Sequence, residues 1–309
     1  MNARPLSTDP ALAAFAHEVG EDEPVAIVGA RTRWSLGGEL VSGTRTISAP
    51  SGIVDHVAEE MTVTVRAGTM VDELHAELAS TGQWTALPER GGTVGGAIAV
   101  GENDFRRPAR GELRSAVLQV RYVSDEGKII TGGGPTVKNV SGFDMPRLLT
   151  GSLGTLGCIG EVILRTNPIP ASIRWFHSSD ADPFVIHDSL LAPGSILWDG
   201  SITTVMLAGQ KAAVDDDVEL LAAHGNFSEC EEPESPTQHR WSLTPSELRS
   251  IDTTLVGDFV AEVGVGIVHA SKPQPTTALT PAVRLIHDRM KHEFDPTNRL
   301  NPGRIVGIR

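Results

Sequence analysis

The chain has 309 residues, of which 40% are hydrophobic, 21% charged and 5% aromatic; this is globular composition for one or two domains and excludes a disordered or collagen-like chain. Its 26 Lys and Arg against 39 Asp and Glu give a formal charge of −13, and with no basic run to neutralise neighbouring phosphates nucleic acid is not an expected partner. Its apolar stretches stop well short of the roughly 20 residues of a membrane span, which points to a cytoplasmic protein without a transmembrane segment.

In chain order, VAIVG at 25–29 and TVTVRAG at 62–68 predict strands. VDELHAELAST at 71–81 predicts a helix that puts Val71, Leu74 and Leu78 on one face and stops at Gly82. SAVLQVRYVS at 115–124 and KIITGGG at 128–134 predict two more strands, and the Gly-punctuated segment 152–170 feeds another that ends at Pro168 and Pro170. Residues 171–270 then read as strand, helix, two strands, helix, a polar surface loop at 230–239 and a last β-rich run, FVAEVGVGIVHA. This order suits a small antiparallel sheet with helices. From Thr280, an N-cap followed by Pro281, a helix runs to Asp295-Pro296 and the tail DPTNRLNPGRIVGIR. Cys158 and Cys230 have no His or Cys at ligand spacing, so they read as plain thiols and no metal site is expected.

Three Gly-rich segments can carry chemistry: VGARTRWSLGG at 28–38, PERGGTVGGAIAVG at 88–101 and KNVSGFDMPRLLTGSLGTLGCIGE at 138–161. Glycine admits positive φ and leaves no Cβ in the way, so successive N–H groups can approach an anion. None is a G-x-G-x-x-G opening a helix and none ends in GK[ST], so neither the dinucleotide fingerprint nor the P-loop is present.

In their order these segments resemble the vanillyl-alcohol oxidase (PCMH-type) FAD-binding flavoproteins, and within them the glycolate oxidase FAD-binding subunits. VAIVGARTRW resembles the strand and first pyrophosphate loop, TVRAGTMVDELHAEL the next strand and helix, and LPERGGTVGGAIAVG the second loop. GENDFRRPARGELRSAV resembles a stretch particular to the glycolate oxidase subunits, and KNVSGFDMPRLLTGSLGTLGCIGEV and the tail FDPTNRLNPGRI resemble the remaining family motifs. The resemblance implies an α+β, PCMH-type two-subdomain FAD-binding fold at 1–170, a small, reduced antiparallel α+β cap at 171–270, and a C-terminal helix and tail, 271–309, that return to the FAD domain.

It also implies non-covalent FAD, its pyrophosphate held by backbone N–H groups of both loops. The residues placed at the cofactor are Gly29, Ala30, Arg31, Thr32, Arg33 and Trp34 in the first loop, and Pro88, Thr93, Val94, Gly95, Gly96 and Ala99 in and after the second. Asn139 and Gly142 would lie towards the flavin, Gly160 and Val162 would meet the adenine through their backbone, and Asn301 would come from the tail. The first loop of the family is usually rich in Gly and Ser; here Arg31 and Arg33 either supply charge to the pyrophosphate or mark a degenerate loop.

No catalytic residue is identified; the candidates are Arg107, Lys138, Asp144 and Arg304. Each has a plainer reading: Arg106 and Arg107 as a surface ion pair with Glu102 or Asp104, Lys138 as a solvated turn residue, Asp144 as a cap, Arg304 as packing, and His269 as structural or exposed. Catalytic relatives carry a paired His in a larger cap, whereas here His177, His187, His224 and His239 are scattered. The expected function is therefore the FAD-binding subunit of a glycolate oxidase-like complex, with a larger catalytic flavoprotein subunit and an iron–sulfur subunit as partners and a small 2-hydroxy acid as substrate. Any membrane association would come through those partners. A stand-alone FAD-dependent oxidoreductase and an assembly subunit that has lost FAD are the alternatives.

Overall fold

The computed structural model describes residues 9–135, 143–234, 239–275 and 280–306. They fall into two compact units, one of residues up to 103, 112–168 and the C-terminal segment, the other of 104–111 and 169–275.

The first unit opens with α1 (Pro10–Val19), which the sequence reading did not pick out. Its signals are local: Asp9 accepts from the N–H groups of Ala11 and Leu12, Pro10 sits at the first position, and Gly20 closes the helix at φ 65°. Leu12, Phe15 and Val19 form its buried stripe. β1 (Val25–Ile27) pairs in parallel with β2 (Arg45–Ile47). β3 (Ile53–Val57) and β4 (Thr62–Arg66) precede α2 (Val71–Ser80), whose buried face is the expected Val71, Leu74 and Leu78. β5 (Gln83–Trp84) leads to α3 (Val94–Val100), a helix within the segment read as the second loop.

After the short helices α4 (Arg107–Arg110), which belongs to the second unit, and α5 (Leu113–Ala116), the chain makes β6 (Val117–Val123), β7 (Ile129–Gly133), α6 (Met145–Leu149), β8 (Cys158–Arg165) and β9 (Asn167–Pro168). The main sheet has the order β3-β4-β8-β6-β7, every neighbouring pair antiparallel. β8 lies between β4 and β6 and is buried for most of its length, with Val63, Val65, Val120, Val162 and Leu164 in one apolar core with α2 and α3.

The second unit contains β10 (Ser172–Ser178), α7 (Pro183–Ser189), β11 (Ser195–Trp198), β12 (Thr203–Gly209), α8 (Lys211–Ala222), β13 (Ser228–Cys230), β14 (His239–Ser242), α9 (Pro245–Arg249), α10 (Thr253–Val256), β15 (Phe259–Glu262) and β16 (Ile267–Ala270). Its antiparallel sheet has the order β13-β10-β12-β11-β15-β16-β14. The polar stretch 230–239 is thus not simply a loop: its ends belong to the two edge strands. Solvated edges tolerate sequences such as SEC and HRWS that lack apolar alternation. The last β-rich run folds back as the hairpin β15-β16, turned by Gly264 and Gly266 at φ 81°.

Residues 104–111, read from sequence as part of the first domain, pack with the second unit. The Phe105 ring lies 5.9 Å from Trp175, its carbonyl accepts from Ser195 Oγ at 2.9 Å, and Arg106 Nη1 reaches Glu232 Oε1 at 2.5 Å.

α11 (Pro281–Phe294) begins at the Thr280 cap, and the tail after it is tied into the first unit. Asp295, fully buried, accepts from the N–H groups of Arg299 and Leu300 at 3.0 and 2.8 Å and pairs with Lys291 Nζ at 2.5 Å. Arg299 donates to the carbonyls of Val19, Glu23 and Asp125. Asn301 N donates to Val25 O at 2.8 Å, which places the tail against β1. No helix among the described residues is long and apolar enough to cross a membrane.

Two measurements test this architecture. Asp295→Ala removes an acceptor of three charge-assisted bonds and should lower unfolding stability by about 3 kcal/mol, read by denaturant titration. Burial pushes the Cys158 thiol up to about 12, so at pH 8 only on the order of one in 10⁴ is thiolate. Cys158 should therefore resist a disulfide reagent until denaturant is added, whereas the half-buried Cys230 reacts in the folded chain.

Candidate functional site

Two adjoining openings in the first unit, of about 560 and 480 Å³, share Ile27, Gly29, Thr93, Ala99, Leu153 and Asn301 among their walls. Both lie where β1 releases its loop, beside Asn301 of the tail, and the second also reaches Ala67 and Gly68 after β4.

The first loop supplies donors. Val28 N–H is spent on Ile47 O, and Trp34 N–H and Leu36 N–H close turns on Arg31 O and Arg33 O. Between them, the N–H groups of Gly29, Ala30, Arg31, Thr32 and Arg33 carry no hydrogen bond within the described chain, and all five residues line the opening. Arg31 sits at φ 59°, so the run contains the left-handed step that gathers neighbouring N–H groups into an anion-binding concavity. The backbone donors of this loop are thus unengaged among the described residues.

The second loop behaves differently from expectation. Val94 N–H donates to Thr69 O at 2.9 Å, Gly95 N–H to Ala67 O at 2.8 Å, and Gly96 N–H to Thr93 Oγ1 at 3.2 Å. These donors are already engaged, so this loop does not contribute the row of N–H groups predicted for it. Its glycines answer to packing. A Cβ on Gly95 would stand 2.7 Å from Ala67 Cβ, and one on Gly92, at φ 87°, 2.6 Å from Thr32 Oγ1. Conversely, a Cβ on Gly29 would stand 2.4 Å from Thr93 Oγ1, so the two loops touch.

The two arginines of the first loop have separate fates. Arg31 is exposed and lies over the Trp34 ring at 5.4 Å. Arg33 is buried: its Nε donates to Glu102 Oε2 at 2.7 Å and its Nη1 to Gly91 O and Thr32 Oγ1, leaving Nη2 buried with no hydrogen-bond partner. Arg304 also lies over the Trp34 ring, at 4.7 Å, and donates to Leu36 O and Gly38 O. Asn301, at φ 44°, donates from Nδ2 to Gly154 O at 2.9 Å, so tail and third segment meet at the groove.

Other predicted residues lie elsewhere. Pro88 and Val94 are buried behind the loop. Gly160 faces α1, where a Cβ would meet Leu12 at 2.7 Å, and stands at a break in the β6–β8 register, while Val162 is in the core with its strand paired on both sides. The third segment reaches the groove instead through Leu153, Gly154, Gly157 and Ile159. Lys138, Asn139 and Gly142 lie outside the described residues. Asp144 caps α6 by accepting from Arg147 N–H.

In the second unit Arg106 is buried, not at the surface, and makes a two-pronged pair with Asp104 at 2.8 and 2.9 Å. Burial pushes the Asp104 carboxyl up, but Arg106 and Arg110 outweigh it and hold it below the usual range. Arg107 heads α4 there. His269 is buried and meets Glu262 at 2.8 Å. Sequence reading missed Leu36, Leu153 and the role of Glu102; for the last, a carboxylate just after the loop of a chain with Arg in its first loop was the available signal.

Residues 4–133 match the family model described as FAD binding domain. The chain is 34% identical over 156 residues to the glycolate oxidase subunit GlcE of Escherichia coli K12, a match covering 49% of this chain and 45% of that protein. It is 34% identical over 163 residues to the D-2-hydroxyglutarate dehydrogenase of Xanthomonas citri pv. viticola, covering 48% and 34%. The matches thus span less than half the length of these relatives. A solved structure of alkyldihydroxyacetonephosphate synthase superposes with a TM-score of 0.69 over 96% of this chain and 75% of that one at 14% identity, which shows the fold.

The close approach of the two loops gives a test. Gly29→Val, whose Cβ would meet the capping Thr93 Oγ1 at 2.4 Å, should lower FAD affinity at least about tenfold, since a charge-assisted contact is worth roughly 1.5–3 kcal/mol, and should lower the melting temperature of the apo-protein as well. Arg31→Ala, at an exposed position, should instead lower affinity and leave the melting temperature within a few degrees. Gly95→Val, which pushes α3 off Ala67, should lower both. Fluorescence titration and thermal unfolding read the two effects.

Proposed function

We propose that this chain, whose residues 4–133 match the family model described as FAD binding domain, is the FAD-binding subunit of a glycolate oxidase-like assembly that oxidises a small 2-hydroxy acid. The observation that carries the reading is the run of five unshared N–H groups at 29–33, flanked by the buried, unpartnered Nη2 of Arg33. That donor set suits a pyrophosphate, which accepts from successive backbone N–H groups. It disfavours the reading of an assembly subunit that has lost FAD.

Bound FAD would supply hydride and electron chemistry. The chain's own residues would hold and orient it: the 29–33 N–H groups on the phosphates, Arg31 as an adjustable charge, the Arg304–Trp34 stack as a wall, and Asn301 fixing the tail. None of the described residues lining the openings is His or Cys, which favours non-covalent attachment. The subunit role draws on the name of the GlcE relative and on the scatter of the histidines, the buried His269 being committed to Glu262. Taking a proton from an alcohol needs a placed base or a metal, and a larger flavoprotein subunit would provide it, with an iron–sulfur subunit as electron acceptor.

Purified chain should take up one FAD per molecule, released by acid precipitation, and should bind FMN at least about tenfold more weakly because a phosphate contact is lost. Equal affinity for FAD and FMN would remove the pyrophosphate assignment. FAD-loaded chain alone should reduce an artificial acceptor slowly with glycolate or D-lactate. Turnover of roughly 1 s⁻¹ or faster without partners would replace the subunit reading with a stand-alone oxidoreductase.

A further inference from the structure

Glu102 follows α3 and Gly101, whose φ of 68° lets the backbone turn where a Cβ would meet Gly151 at 2.9 Å. The turn brings its carboxylate between the two loops. Oε2 accepts from Arg33 Nε of the first loop at 2.7 Å, and Oε1 accepts from Arg90 Nη1 of the second. The Glu102 and Arg33 side chains are 11% and 7% exposed, so solvent screens their pairing little. Arg33 adds a second tie, from Nη1 to Gly91 O at 3.1 Å. One carboxylate thus holds two guanidinium groups that belong to segments meeting at the groove.

We propose that Glu102 is a positioning residue for cofactor binding, a strap that holds the first and second loops in register and aims the remaining Nη2 of Arg33 at an anionic ligand. The inference rests on the FAD reading of the groove for its effect on affinity, while the strap itself is a property of the chain without ligand. Arg33 and Arg31 then have opposite characters: Arg33 is part of the frame, and Arg31 is the exposed charge. The fork geometry also matters, because Lys offers no pair of donors with the spacing of Nε and Nη1.

The test turns on a sign. Removing a carboxylate beside an anionic ligand raises the local positive potential and by charge alone tightens binding. Loss of a strap weakens it. Glu102→Ala and Glu102→Gln should therefore bind FAD about tenfold and several-fold more weakly than wild type, by fluorescence titration, and Arg33→Lys should not recover wild-type affinity. The Arg33→Ala/Glu102→Ala double variant should lose little more than the weaker-binding single variant, since both break one tie. Amide hydrogen exchange of the apo-protein should show faster exchange at 28–38 and 88–93 in Glu102→Ala, with β4 and α2 unchanged.

Equal or tighter FAD binding by Glu102→Ala, additive losses in the double variant, or unaltered exchange at both loops overturns the proposal. Faster exchange at every strand would mean that Glu102 supports the whole unit, and that too overturns it. If wild type itself fails to bind FAD while Glu102→Ala loosens only the two loops, the FAD reading fails and the strap stands.

Discussion

The first unit depends on an approach between two loops that is closer than a Cβ permits. Gly29 stands over Thr93 with no room for a methyl group, and Gly92 does the same under Thr32. Glycine is needed at these points for space, and at Gly92 also for its positive φ. Once the loops are in contact, α3 must start where it does, because the Thr93 hydroxyl accepts from Gly96 N–H as its cap. The groove is what the contact leaves open on one side.

Hydrogen-bond accounting then decides what each loop can do. A buried N–H must find a partner, and the second loop, lying on the end of β4, finds Ala67 O and Thr69 O. The first loop runs over the surface and has no such strand beside it, so five N–H groups stay free for a ligand. Similar Gly-rich text therefore has two outcomes, one a packing joint and one a donor array. The half-buried Trp34 ring, over which Arg31 and Arg304 both lie, extends the second outcome with cation–π contacts.

Buried charge is used sparingly and always in company. Arg33 with Glu102 and Arg121 with Glu161 join segments or strands that a purely apolar contact would leave free to slide, whereas Asp295 with Lys291 and Asp104 with Arg106 pair within one stretch of chain. Such pairs add little net stability relative to apolar packing, but breaking one leaves an uncompensated charge. The value of the two long-range pairs is register: loop against loop and β6 against β8. In the second unit the Glu262–His269 pair does the same across the hairpin β15-β16. There burial outweighs the imidazole and pushes the Glu262 carboxyl up.

The α+β class came through the family resemblance of the Gly-rich segments, while the residues alone carried the Thr280-Pro281 start of α11, the apolar face of α2, the strand TTVMLAG at 203–209 and the Gly-rich segments themselves. Each of these is written in contiguous residues as periodicity, a cap or a glycine. α1 was equally legible in Asp9-Pro10 and Gly20 but went unread, whereas the edge strands β13 and β14 carry no apolar alternation to read. Tertiary structure alone decided which N–H groups are spent, because the carbonyls that take the Val94 and Gly95 donors come from the turn between β4 and α2. It alone decided that Arg33 is frame and Arg31 is free, because the partner carboxylate lies beyond the second loop. It also moved 104–111 into the second unit, since Phe105 finds Trp175 there. Local text fixes conformation at short range, and the partner of a buried polar group is a long-range fact.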